Sequence, residues 1–136
     1  MKRNILKAKI NRNGLKKYAG TYFRDHESQV CRLLSEEGKA ALFGIEREDG
    51  VYTLIGEESV YFSAVSGQKG EIPLAVFSAA LQLNALSKGK SGDFEFVAMN
   101  DQKELVWLYN KATMEALWNI ILWLESLNEE KKVNIK

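Results

Sequence analysis

The sequence predicts an α+β domain: an antiparallel β-meander, then a helix, a β-hairpin and a C-terminal helix packed on the sheet. Three observations point there. The chain has 136 residues, 46% hydrophobic and 27% charged, which suits one globular domain. Between residues 28 and 65, apolar runs alternate with turn signals, the strongest being Asp49-Gly50. Two later stretches, 73–86 and 110–128, carry apolar residues at helical spacing.

Residues 4–10, NILKAKI, alternate loosely and fit a strand or a turn of helix, and NRNG then breaks the chain. Gly20 before Thr21, Tyr22 and Phe23 reads as a strand entry. Leu15, Tyr18, Gly20 and Tyr22 resemble the opening strand of lipocalin-like small barrels and of barrel domains appended to some hydrolases. That similarity covers eight residues, and the helices expected further on depart from the pattern. SQVCRLL is a strand candidate closed by the turn-like SEEGK, and AALFGIER follows. Glu48-Asp49-Gly50 joins it to VYTLI in a turn whose two central positions need positive φ. Glu57 and Glu58 lead to SVYFSAV, rich in β-branched and aromatic residues.

Residues 66–71 read as a loop, and Pro73 suits the first turn of a helix. Apolar residues at 74, 77 and 81 and at 76, 80 and 83 give that helix a wide stripe toward the core. Gly89-Lys90-Ser91 fails as a phosphate-binding loop, because Asn84 stands where the first glycine belongs and the loop leaves a helix. Lys88 and Lys90 there are candidates only for a loose anion contact. DFEFVAM and ELVWLY form a hairpin around NDQK, with apolar residues on both faces (Phe94, Phe96, Leu105, Trp107; Val97, Met99, Val106, Leu108), so both faces should be covered. The last helix starts near Asn110 or Thr113, both good N-caps, and runs to about 128. Residues 1–14 form a basic arm, possible as part of the fold; 15–128 form the domain; 129–136 form a polar tail.

The last helix is no membrane span: its apolar part is short of the roughly 20 residues a span needs, and Glu115, Asn119 and Glu125 interrupt it. On a helical wheel, Lys111, Glu115, Asn119, Ser126 and Glu129 form a wet stripe. Leu117, Ile120, Trp123, Leu124 and Leu127 lie opposite. Trp118 and Leu122 fall beside the wet stripe. They are either covered by another element or an apolar patch for a partner, including a second copy docked through this helix.

Charge is uneven. Residues 1–17 hold Lys2, Arg3, Lys7, Lys9, Arg12, Lys16 and Lys17 and no acid. The rest of the chain has 12 basic and 18 acidic residues, net −6. Residues 25–60 alone hold nine acids, including Glu36, Glu37, Glu46, Glu48, Asp49, Glu57 and Glu58, against Arg32, Lys39 and Arg47. Each zone is either a solvated surface or a partner surface. One cysteine, Cys31, excludes an internal disulfide, and the start of the chain has no apolar run of signal-peptide length, so a reducing, cytoplasmic setting is expected. One cysteine and one histidine are too few for a structural metal site, and the acids lack calcium-loop spacing, so no cofactor is expected. His26 and Cys31 form a dyad only if the fold joins them, and no catalytic residues are assigned.

Two function classes follow. The first is a small protein-binding module that occludes a basic partner, such as a nuclease toxin, with its acidic residues. Bacterial immunity proteins and antitoxins are analogous in size and design, though no motif carries the analogy. The second is a single-stranded nucleic-acid binder that tracks phosphates with the basic arm and stacks bases on Tyr52, Tyr61 and Phe62.

Overall fold

A computed structural model of the chain describes residues 2–89, 92–99 and 104–134, with backbone only for 131–134. The fold is α+β. A five-stranded antiparallel sheet has the order β1-β2-β3-β4-β5, formed by Phe23–Arg24, Ala41–Glu46, Tyr52–Gly56, Ser59–Ser63 and Lys69–Pro73. Helices α1 (Arg3–Arg12) and α2 (Leu15–Ala19) precede it, and α3 (Gln29–Glu36) lies between β1 and β2. Then come α4 (Leu74–Lys88), the hairpin β6 (Phe96–Ala98) and β7 (Leu105–Trp107), and α5 (Lys111–Asn134).

The main core sits on one face of the sheet. Phe43, Ile45, Ile55, Val60, Phe62 and Ile72 project into it. Leu74, Phe77 and Leu81 of α4, Val97 and Trp107 of the hairpin and Leu117, Ile120 and Leu124 of α5 meet them there. The hairpin is bolted to the sheet by the buried Thr53 hydroxyl, which donates to the Trp107 carbonyl at 2.5 Å. Asn84 Nδ2 ties α4 to the Ala98 carbonyl at 3.1 Å, and Asn128 Nδ2 ties α5 to the Glu57 carbonyl at 3.0 Å.

The hairpin at Asp49-Gly50 forms, but Gly50 alone takes a left-handed φ (+92°), where both central positions were expected to. The loop spans residues 47–51, closed by the Arg47 N–H donating to the Val51 carbonyl at 2.7 Å, so a two-residue turn is not what it is built on.

Several expected elements change type. The segment 28–34 is helix α3, not a strand. Ser28 caps it, its oxygen accepting from the Cys31 N–H at 3.5 Å, and Cys31 and Leu34 point inward three residues apart. Residues 15–23 are a short helix, a 3-10 turn at Gly20–Tyr22 and a two-residue strand, so the barrel-like opening strand is absent there. The basic arm is helix α1, anchored by buried Leu6 and Ile10, and so belongs to the fold. Residues 69–73, of which 69–71 were expected in a loop, are edge strand β5, paired Val60 to Ile72 and Phe62 to Gly70. Pro73 ends that strand and caps α4 rather than entering the helix. α5 starts on Asn110, whose Oδ1 accepts from the Thr113 N–H at 2.8 Å, and continues to Asn134, six residues past the expected end. The expected turn at 100–103 lies outside the described residues.

Candidate functional site

Cross-strand register places a second, smaller face on the other side of the sheet. Side chains directly opposite on neighbouring strands share a face. Glu46 stands opposite Tyr52, Tyr52 opposite Ser63, and Ser63 opposite Lys69. In the next row, Gly44, Leu54, Tyr61 and Glu71 stand in line. Helix α3 covers part of this face with Cys31 and Leu34, packed on Ala41, Tyr52 and Leu54, while Tyr61 stays half-buried and Glu71 exposed.

Two phenol hydroxyls therefore sit among carboxylates. Burial, and then Glu37 and Glu46, push the Tyr52 pKa above its usual value. Burial, and then Glu71 and Glu58, do the same for Tyr61. Of the two, Tyr52 lies beneath α3, and only Tyr61 reaches the surface.

The acids expected to form one surface are divided by the fold. Glu36 and Glu37 close α3; Glu48 and Asp49 occupy the β2–β3 loop; Glu57 and Glu58 occupy the β3–β4 turn at the opposite end of the strands. Two of the acids are held internally. Glu46 Oε1 accepts from Arg24 Nε at 2.9 Å, and Asp49 takes a two-point bond from Arg47, at 3.0 and 2.6 Å. That bond is the main reason Asp49 lies below the usual carboxylate range. Glu71, absent from the expected set, faces Tyr61. Its strand was hidden because residues 69–71 read as loop and Pro73 as the start of a helix. The alternation of Lys69 and Glu71 outward with Ile72 inward was the signal available.

The basic residues of α1 and α2 also have defined places. Arg3, Lys7 and Lys16 line a cavity of about 50 Å³ together with Asp25 and His26, over a floor that includes Leu6, Phe23 and Phe43. Lys16 Nζ lies 5.6 Å from the centre of the Phe23 ring, and Lys9 Nζ lies 5.7 Å from that of Trp123 on α5. Lys2, Arg12 and Lys17 are exposed. Tyr52 and Phe62 are buried, so neither offers a ring face for stacking; Tyr61 is half-buried.

His26 and Cys31 are not hydrogen-bonded to each other. His26 Nε2 stands 3.7 Å from Glu27 Oε1, while Cys31 is buried between α3 and the sheet, where burial above all raises its pKa. A thiol reagent is therefore expected to leave Cys31 unmodified at neutral pH until the chain is unfolded. Rapid modification of the native protein would show that α3 opens. Lys88 turns inward: its ammonium donates to the Asp93 and Phe96 carbonyls at 2.7 and 3.1 Å, which occupies it, and Lys90 lies outside the described residues. Among the described residues no group of three His, Cys, Asp or Glu could hold a metal ion, and no helix is long and apolar enough to cross a membrane.

On α5 the expected wet stripe is exposed. Trp118 is half-buried, its Nε1 donating to Ser78 Oγ of α4 at 3.0 Å, and only Leu122 of that pair is exposed. Comparison of the chain with protein-family models, with curated proteins and with solved structures finds no match.

Proposed function

We propose that the chain is a protein-binding module that receives a basic segment of another protein on the sheet face bearing Tyr61 and Glu71. One observation carries this reading: half-buried Tyr61 stands in cross-strand register with exposed Glu71, with exposed Glu58 close enough to act on it. Such a surface offers fixed negative charge and a phenol oxygen on a rigid sheet, which is what a Lys- or Arg-bearing partner needs. An inhibitor that occludes a basic enzyme, a nuclease among them, is the finer form of this proposal, and a cytoplasmic setting goes with it.

The experiment is capture of partners from the source lysate, with and without nuclease treatment, by the native chain and by the double reversal Glu58→Lys/Glu71→Lys. Both acids are exposed and make no ion pair among the described residues. A stoichiometric protein that survives nuclease treatment should associate about tenfold more slowly with the reversed variant, the difference shrinking in high salt. An unchanged rate would remove the acidic face from the interaction. The cavity flanked by Arg3, Lys7 and Lys16 favours a second reading, phosphate contact with nucleic acid. Capture lost entirely on nuclease treatment would select it.

A further inference from the structure

From the outward face of α4 we infer that the protein forms a twofold dimer through this helix, with a second copy of the chain as the occupant. Leu74, Phe77, Ala80 and Leu81 of α4 are buried in the core and Ala85 packs against it, but Val76 and Leu83, two of the six positions expected to face inward, turn outward. Val76 is 44% exposed, Leu83 54% and Leu86 76%, and Ala79 is exposed between them. From Ile72 to Ser87 no residue is charged. A helix face that leaves several large apolar side chains exposed side by side is normally covered.

Two features select a second copy over another partner. The first is spacing. Val76, Ala79, Leu83 and Leu86 are separated by three, four and three residues, a series that reads the same from either end. Two α4 helices packed antiparallel about a twofold axis then set Val76 against the second copy's Leu86, and the small Ala79 against its Leu83. Large side chains thus enter gaps left by small ones, as ridge-into-groove packing requires. The second is charge. A twofold contact faces a surface with itself, so a surface of one charge sign repels its copy, whereas this uncharged one does not. The basic surface of α1 and α2 and the acidic sheet face would each repel themselves. α4 lies across the sheet from Tyr52 and Tyr61, so the dimer leaves that face open.

The test is sedimentation equilibrium of the full chain from micromolar to submillimolar concentration, beside Leu83→Lys and Leu86→Lys. Both side chains are more than half exposed in the monomer, so circular dichroism of both variants should stay native. The native chain is expected at twice the chain mass, and each lysine should raise the dissociation constant about a hundredfold or more. Mixing Ala79→Cys protein with Leu83→Cys protein under mild oxidation should give a mixed disulfide between copies. A monomer throughout the range, a dimer that neither lysine weakens, or a dimer that fails to form the mixed disulfide would each overturn the inference.

Discussion

Gly44→Ala is expected to cost about 3 kcal/mol or more of folding free energy, enough to leave a domain of ordinary stability marginal. Gly44 sits in mid-strand on β2, paired with Leu54, just past the register shift between Ala41 and Phe43. A Cβ built there runs into the Thr53 carbonyl oxygen and comes within 2.7 Å of the Leu54 Cα. Both obstacles are backbone of the adjacent central strand, so no side chain can swing away. The φ of +157° adds to the cost for any residue with a side chain. Relief requires β2 and β3 to part, and that pair carries the core residues Phe43, Ile45 and Ile55. Gly50→Ala is the control. Its φ of +92° is also unfavourable, but nothing lies within 4 Å of the added carbon, so about 1 kcal/mol is expected. Urea unfolding of both variants checks this: the Gly44 variant should lose midpoint at unchanged slope, several times more than the Gly50 variant. Equal losses would mean that the strands are less closely apposed than described.

Much of the fold was legible because its central elements follow simple periodicities. β2, β3 and β4 have inward residues at alternate positions and Gly50 in the turn between the first two. α5 shows its wet stripe from Lys111 to Glu129. Elements at the margins were harder to read. α3 has β-branched and sulfur-bearing residues that fit a strand equally well, and its decisive signal was one capping serine. α1 shows only Leu6 and Ile10 to the core, too few to establish a period. β5 is an edge strand that needs inward bulk only at Ile72, since Gly70 lies against the Phe62 ring, where a Cβ would come within 2.5 Å. The candidate site was legible to the same extent. Turn acids announce themselves in sequence, but the arginines that neutralise Glu46 and Asp49 are set by register and loop geometry. Glu71 became visible only once β5 was a strand.

Trp107→Ala is expected to be comparably damaging, at about 4 kcal/mol, whereas Trp107→Phe should cost roughly half that or less. The indole is among the largest fully buried side chains, and it is where the hairpin meets the sheet. Its ring packs edge-on against Tyr22 at 5.3 Å between centres and lies 6.0 Å from Tyr109, with the Arg47 guanidinium 5.6 Å above it. Truncation to alanine empties that volume and frees Tyr22, which connects the N-terminal helices to β1. The indole N–H, in contrast, is buried without a hydrogen-bond partner. Phenylalanine keeps an aromatic body and removes an unpaired donor, so part of the lost packing is offset. The Thr53 hydroxyl bond reaches the Trp107 carbonyl, which every variant at 107 retains. Thr53→Val should therefore cost about 1–3 kcal/mol on its own by leaving that carbonyl unpaired. The two effects are separable in a double-mutant cycle: Thr53→Val with Trp107→Phe should be nearly additive, because the phenylalanine ring holds β7 in place. Thr53→Val with Trp107→Ala should fall short of additivity, since a hairpin already loosened has less of that bond to lose. Additivity in both cycles would mean that the hairpin is held by its backbone and helices, with the indole as filler.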